Sequence, residues 1–303
     1  FAERYGKNPH VQAWQIDNEY GCHDTVISYS DNARQAFRQW LAEKYGTIEQ
    51  LNAAWGNVFW SMEYDHFDQI DLPFFTVCET NPAHRLAYRR FASEQVVRFH
   101  DVMISAVRRH AAPHQWVTHN IIPPATTGVD NAALTRELDF VSYDNYPLGF
   151  SDQLMAKASA DEWKPFMRTG HPDLAALNFD SVRGLSKGAW WVMEQQPGPV
   201  NWAPWNPAPA DGMVRVWPWQ AFAHGAEVVS YFRWRQAPFA QETDRRDPLE
   251  GQELIHPRRA SVTRFTSQRR RWRARAMSSW SWKRVAPPVR MPTPRRCSRC
   301  LRT

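Results

Sequence analysis

Cysteine is scarce in this chain: Cys22, Cys78, Cys297 and Cys300 are the only four in 303 residues. Four cysteines are too few for a disulfide framework at this length, so a hydrophobic core has to hold the fold. No run of 18 apolar residues occurs, which leaves nothing to cross a bilayer as a helix. No secretory leader is visible, although the chain opens on Phe1 and not on Met, and the expected location is the cytoplasm. No internal repeat is found. Acidic residues are missing from one whole region. From Arg258 to the end there are 15 Lys or Arg and no Asp or Glu. Residues 1–257 carry 22 basic and 31 acidic groups, a net of −9, so the overall charge of +6 hides an acidic body followed by a basic end.

Tryptophan, in contrast, is abundant, with 16 residues in an aromatic content of 14%. That exceeds the needs of a core and suits a cleft that stacks sugar rings, with a Trp-rich core as the competing explanation. The apolar pattern alternates between short runs and helical spacing. Val11–Asp17 is a strand-like run that ends in Asn18-Glu19. Asp31 opens a helical pattern through Phe37, Trp40, Leu41 and Tyr45, closed by Gly46, and Thr47 starts a shorter one through Leu51 and Trp55. Residues 56–80 read as a long irregular loop, of a length that tends to carry function. Asn81-Pro82 is a helix start, and the period continues to about His110. Trp116–Asn120, Leu138–Tyr146, Ala189–Met193 with Glu194 at its end, and Glu227–Trp234 read as strands, with a helix over Gly212–His224. Strands alternating with helices, each strand ending in reactive side chains, predict an α/β fold of barrel type with its site at the C-terminal strand ends. About five strands are counted, so the first two or three of a barrel are missing.

Two carboxylates stand out. Gln15-Ile16-Asp17-Asn18-Glu19-Tyr20-Gly21 and Trp190-Trp191-Val192-Met193-Glu194-Gln195-Gln196 each place a Glu at the end of an apolar strand. Glycoside hydrolysis needs two such groups flanking the bond, one to protonate the leaving oxygen and one to attack the anomeric carbon. A Glu at a strand end is weak evidence alone, since most acids are solvated surface groups. The flanking residues strengthen it. Asn18 is a neutral amide able to bond a sugar 2-hydroxyl, Gln195-Gln196-Pro197-Gly198 is a rigid polar turn, and Trp202 and Trp205 supply stacking faces.

Ile16-Asp17-Asn18-Glu19-Tyr20-Gly21-Cys22-His23 resembles the acid/base segment of glycoside hydrolase family 42 β-galactosidases, and Glu194-Gln195-Gln196-Pro197-Gly198-Pro199-Val200-Asn201-Trp202-Ala203-Pro204 resembles their nucleophile segment. The resemblance runs from about Pro9 to Glu242 and includes Phe37–Leu41, Leu51–Gly56 and Tyr143-Asp144-Asn145-Tyr146-Pro147. It implies a (β/α)8 TIM barrel, incomplete because its first strands are missing, with Glu19 as acid/base after strand four and Glu194 as nucleophile after strand seven. The implied reaction is hydrolysis of terminal β-D-galactosides with retained configuration. The family pattern further implies that Asn18 binds substrate, that Trp60 and Trp202 line the galactose pocket, that Phe232 and Glu242 add to it after strand eight, and that Tyr146 hydrogen-bonds near the nucleophile. For each Trp the alternative is ordinary core packing. The acid role asks that Glu19 be protonated at neutral pH, as burial and a second carboxylate would favour, and the nucleophile role asks that Glu194 stay ionised.

The chain also departs from the family. Where many members carry a zinc-binding Cys cluster, it has Ser28-Tyr29-Ser30 and Asn32-Ala33, leaving Cys22 alone, so no metal or other cofactor is expected and Cys22 is read as a small packed side chain. After Gln241-Glu242 the family pattern stops, and Arg245 stands where a pocket histidine is expected. The expected organisation is thus a partial catalytic barrel over residues 1–242 and a basic, unstructured tail over residues 243–303. The tail reads either as an arm for nucleic acid or as out-of-frame translation of a GC-rich gene. The second is preferred because the break falls inside a motif, and Cys297-Ser298-Arg299-Cys300 lacks the second pair of a zinc site. The expected partner is a galactoside, with no nucleic acid and no membrane, and the family implies a homotrimer. A barrel glycosidase for another sugar and an inactive remnant are the competing functions.

Overall fold

The computed structural model describes residues 1–233 apart from 77, 124–127 and 158–160. Glu242 and the basic tail lie outside the described residues. In chain order the elements are α1 (Ala2–Tyr5), β1 (Ala13–Gln15), α2 (Asp31–Tyr45), α3 (Ile48–Trp55), α4 (Pro82–Arg108), β2 (Trp116–Thr118), β3 (Asn120–Ile121), α5 (Asn131–Leu134), β4 (Val141–Asn145), α6 (Pro147–Lys157), α7 (Pro172–Leu185), β5 (Trp190–Gln195), α8 (Met213–Ala223) and β6 (Val228–Tyr231).

Helix ends follow local chemistry. Ser30 and Thr47 accept bonds from the amides of Ala33 and Gln50, at 3.2 and 3.3 Å, and so cap α2 and α3. Asn81 caps α4 by accepting from Ala83 N at 2.9 Å, with Pro82 at the first helical position. Gly56 ends α3 at φ +66°, a left-handed conformation that suits glycine. Helices α6 and α7 are additions to the sequence reading. For α7 the signal was there: Pro172 at its start and buried Ala175, Asn178, Phe179 and Val182 at helical spacing.

Every strand pairing is parallel. β1 pairs β2, and β3, β4, β5 and β6 follow one another in sequence order. The single strand expected over 116–120 is split at His119 into β2 and β3. Bonds from Asp139 N to Val117 O (3.0 Å) and Ser142 N to His119 O (3.2 Å) carry the pairing towards β4 past the break. Among the described residues, five strand positions therefore occur in sequential parallel order, and the fold there is α/β with helical crossovers.

The strands are two-faced, as their period of two requires. Val141, Tyr143, Trp190 and Val192 are fully buried against Phe179 and Val182 of α7 and Ala221 of α8. Ser142 and Asp144 alternate with these and point the other way, together with Asn120, the pair partner of Ser142. A second apolar cluster joins α2, α3 and α4 through Phe37, Leu41, Leu51, Trp55, Tyr88 and Phe91. It encloses His84, whose ring stacks on Phe37 and Trp55 at centroid distances of 5.8 and 4.8 Å.

Three enclosed histidines, His84, His100 and His119, are held below the ordinary imidazole range by burial and make the fold acid-sensitive. Burial pushes His84 and His119 down to about 4. The unfolded chain protonates these groups near pH 6.5, so stability is full above that pH and falls as the pH drops towards 4. Each shift corresponds to roughly 3 kcal/mol when fully expressed. Melts followed by circular dichroism between pH 7 and 4 should therefore show a steep fall in Tm. His84→Phe, which keeps the stacked packing but cannot take up a proton, should lose less over that window. An equal loss in variant and parent would remove His84 from the explanation.

Candidate active site

The polar face of the sheet gathers the carboxylates. Past β1 the chain turns sharply through Asp17–Gly21, with Asp17 at φ +54°, Glu19 at φ +41° and Gly21 at φ +86°. Left-handed backbone at two non-glycine residues persists only where surrounding contacts fix it, as they do at functional sites. His119 supplies two of those contacts. One ring nitrogen, Nδ1, bonds the Ile16 carbonyl at 2.5 Å, and Nε2 accepts from Tyr20 N at 3.5 Å, so one neutral ring ties both sides of the turn. The Tyr20 ring stacks on it at 4.2 Å.

Asn120 is the hub on the other side. Its Nδ2 donates to Asn18 Oδ1 at 2.8 Å and to Asp144 Oδ2 at 2.5 Å. Its Oδ1 accepts from Gln15 Nε2 at 3.0 Å and from Glu19 N at 3.4 Å. Asn18 in turn donates from Nδ2 to Glu19 Oε2 at 3.4 Å.

Glu194 reaches the same place through an irregularity in the sheet. Tyr143 pairs with Val192, but Asp144 pairs with Glu194, with a register shift between them. Regular pairing would set Met193 opposite Asp144 and turn Glu194 to the other face. The extra residue turns Glu194 towards Asp144 and the polar side, a common use of bulges beside active sites. Glu194 thus lies inside β5, one residue before its end, and not just after the strand. The turn that follows is fastened to β4 and α6. Asn145 Nδ2 donates to Gln195 Oε1 at 2.8 Å, and Gln196 Oε1 accepts from Leu148 N at 2.9 Å.

The result is a compact acidic group. Carboxylate oxygens of Glu19, Asp144 and Glu194 lie within 4.8 Å of one another. Glu19 and Glu194 are half-buried, while Asp144 is fully enclosed. Tyr146 donates its hydroxyl to Glu194 Oε2 at 2.5 Å. Burial, then the negative Glu194, raises the Tyr146 phenol, which therefore stays a donor. Burial, followed by the charges of Glu194 and Glu19, raises Asp144 well above the ordinary carboxylate range. Among the described residues this is the only cluster of three or more His, Cys, Asp or Glu tight enough to face one cation. Its donor set fits a metal poorly. Hard cations ask for six or more oxygens, whereas Asp144 Oδ2 and Glu194 Oε2 already accept short bonds from Asn120 and Tyr146.

The other expected site residues fall at different distances from this centre. Trp202 packs its ring edge-on to Tyr146 at 5.6 Å and against Phe150 at 5.8 Å. A Cβ at Gly149 would run into the Trp202 ring, so a larger residue there would have to displace that ring. Phe232 is half-buried after β6, and its amide donates to Gln195 O at 3.1 Å. Trp60 stands on a short turn, Phe59–Ser61, is 64% exposed, and packs on Phe59 at 5.0 Å. Core packing therefore does not account for Trp60, and its ring contact is with Phe59, not with the residues around the carboxylates. Cys22, read from the sequence as a small packed side chain, is half-buried, and burial followed by the Glu19 charge pushes its thiol up. Sequence reasoning also missed Asn120, His119 and Asp144. Asp144 stood in a quoted motif, yet nothing in the sequence reveals the bulge that sets it against Glu194. Among the described residues no helix is long and apolar enough to cross a membrane.

Comparison with known proteins agrees with this geometry. The sequence model of glycoside hydrolase family 42, described as β-galactosidase, matches residues 1–247. A β-galactosidase of Thermus thermophilus is 56% identical over 241 residues, covering 80% of this chain and 37% of the relative. One from Halorubrum lacusprofundi is 44% identical over 257 residues, 84% of this chain and 34% of the relative. Among solved structures, the β-galactosidase of the psychrophilic Marinomonas ef1 superposes with a TM-score of 0.76 at 55% identity, covering 80% of this chain and 36% of that one. The chain thus spans little more than a third of the length of the relatives it matches. On the match over residues 1–247 and these identities, the chain belongs to glycoside hydrolase family 42, the β-galactosidases.

Proposed function

We propose that residues 1–242 carry the catalytic centre of a retaining β-galactosidase, with Glu194 as nucleophile and Glu19 as acid/base. The observation that carries this reading is the approach of Glu19 and Glu194 oxygens to within 4.8 Å on one face of a parallel sheet. Retaining glycosidases keep their two carboxyl groups about 5–5.5 Å apart, whereas inverting ones leave about 6.5–9.5 Å for a water. In the first step a Glu194 oxygen bonds the anomeric carbon from one face. The bond to the leaving oxygen breaks, and Glu19 gives that oxygen its proton. In the second step Glu19 takes a proton from water, whose oxygen displaces Glu194 and restores the original configuration. Tyr146 donates to Glu194 Oε2 and so fixes the orientation of the carboxylate.

In this reading Asn18 bonds a sugar hydroxyl next to the anomeric centre, and the bond by which Asn120 fixes its amide supports that role. Trp202 offers a ring beside Tyr146 for the apolar face of galactose. By the family pattern, Trp60, Phe232 and Glu242 are further substrate-binding residues in this reading. The sheet order supports a barrel. Counting β1 as strand four, β2 with β3 as five, β4 as six, β5 as seven and β6 as eight puts Glu19 after four and Glu194 at the end of seven. The same count leaves β1 and β6 with an unpaired edge among the described residues, which favours a partial barrel.

A panel of nitrophenyl glycosides tests the substrate class. The β-galactoside should be turned over faster than the β-glucoside, the β-mannoside and the α-galactoside. Preference for the glucoside would move the chain to another sugar. Absence of turnover in a chain that melts cooperatively would favour an inactive remnant.

A further inference from the structure

Asp144 is the most enclosed acid of the cluster, and the two-carboxylate mechanism does not use it. Its side chain is fully buried on β4. One oxygen, Oδ2, accepts from Asn120 at 2.5 Å. No nitrogen or hydroxyl donor reaches the other, Oδ1. What Asp144 faces is the carboxyl of Glu19, with an oxygen within 4.8 Å, and Glu194 is its pair partner across the bulge. Two carboxyl groups can form a hydrogen bond only if one of them carries a proton, and three full negative charges within 4.8 Å in an enclosed site repel one another strongly.

We propose that Asp144 is a positioning residue: a neutral acid whose Oδ1–H donates to Glu19 while Oδ2 holds Asn120, so that one side chain orients both the acid/base and Asn18. The bond serves both steps of the reaction proposed above, on which this inference rests. While Glu19 holds its own proton on one oxygen, Asp144 bonds the other oxygen. As Glu19 releases that proton to the leaving group, negative charge grows on it and the Asp144 bond becomes charge-assisted. An interaction that strengthens towards the transition state acts on kcat more than on KM. The groups whose charge bears on Asp144 are Glu19 beyond β1, Glu194 on β5, Tyr143 on β4 and Tyr146 just after it, with the Cys22 thiol near Glu19.

The test compares Asp144→Asn with Asp144→Ala in the full chain. Asparagine is neutral, can accept from Asn120 and can donate to Glu19, so it mimics the protonated acid. Its kcat should stay within about tenfold of the parent, whereas Asp144→Ala should lose about 10- to 100-fold in kcat with KM little changed, the worth of one hydrogen bond to a charged group. A loss in Asp144→Asn as large as in Asp144→Ala would mean that the ionised form is needed, and would overturn the proposal. A second readout does not depend on turnover or on the alanine variant folding. With aspartate labelled by 13C at Cγ, the Asp144 signal is the one absent from Asp144→Asn. It should hold the shift of a protonated carboxyl at pH 7, and a titration complete below pH 5 would refute the assignment. If the parent hydrolyses no galactoside, the functional reading fails, and the 13C titration alone still decides the state of Asp144.

Discussion

Glu194→Gly should reduce turnover of an aryl β-galactoside by at least about 10⁴-fold, the scale of losing a hydrolase's nucleophile, and sodium azide should then restore reaction by making α-galactosyl azide. The glycine leaves a space where the carboxylate stood, on the face from which the anomeric carbon is attacked. Azide is small enough to enter that space, and with an activated leaving group such as dinitrophenolate it needs little help from acid. A single displacement inverts the centre, so a β-galactoside gives the α-azide. Tyr146, Gln195 and Gln196 remain to hold the walls of the gap through β4 and α6. Product configuration is read from the coupling of the anomeric proton, and a melt identical to the parent's shows that the variant is folded. Formation of the β-azide would give Glu194 a different role. Turnover undiminished in the glycine variant would remove it from the chemistry.

What the sequence discloses about this site divides by physical cause. Strand and helix periods are local, and they placed β1, β4, β5 and β6 and helices α2, α3 and α4 within a few residues of where they lie. Both carboxylates were legible because each sits beside a distinctive polar turn at the end of an apolar run. Helix α7 is equally legible in its spacing, with Pro172 at its start. The bulge between Tyr143 and Asp144 was not legible, because a register shift is a property of two strands and leaves no pattern in either. Asn120 and His119 escaped for a similar reason. Each is a single polar residue in an apolar run, and only the pairing of β2 and β3 with their neighbours shows that one clamps Asn18 and Asp144 and the other ties Ile16 to Tyr20. The contacts among the carboxylates belong to the fold, whereas the carboxylates themselves belong to the motif.

Glu19→Ala should behave in the opposite sense. Acid/base catalysis contributes about 10²- to 10⁴-fold, and its share depends on how poor the leaving group is. Lactose and alkyl galactosides, whose leaving oxygens need a proton, should lose the full factor. A dinitrophenyl galactoside should still form the galactosyl intermediate on Glu194 readily, then wait, because no base remains to activate water. Burst kinetics with this substrate are therefore expected, and azide should accelerate the slow second step. Here the azide attacks an intermediate that has already been inverted once, so the product is β-galactosyl azide. The alkaline fall of kcat/KM should also flatten for activated substrates, because the proton donor no longer takes part. Asn18 bonds Glu19, and the alanine frees it without disturbing the tie between Asn120 and Asp144. The two variants thus yield opposite anomers from one substrate. That outcome depends on Glu19 and Glu194 facing the anomeric carbon from different sides. A pair of acids that merely share a buried network would give no azide product in either variant.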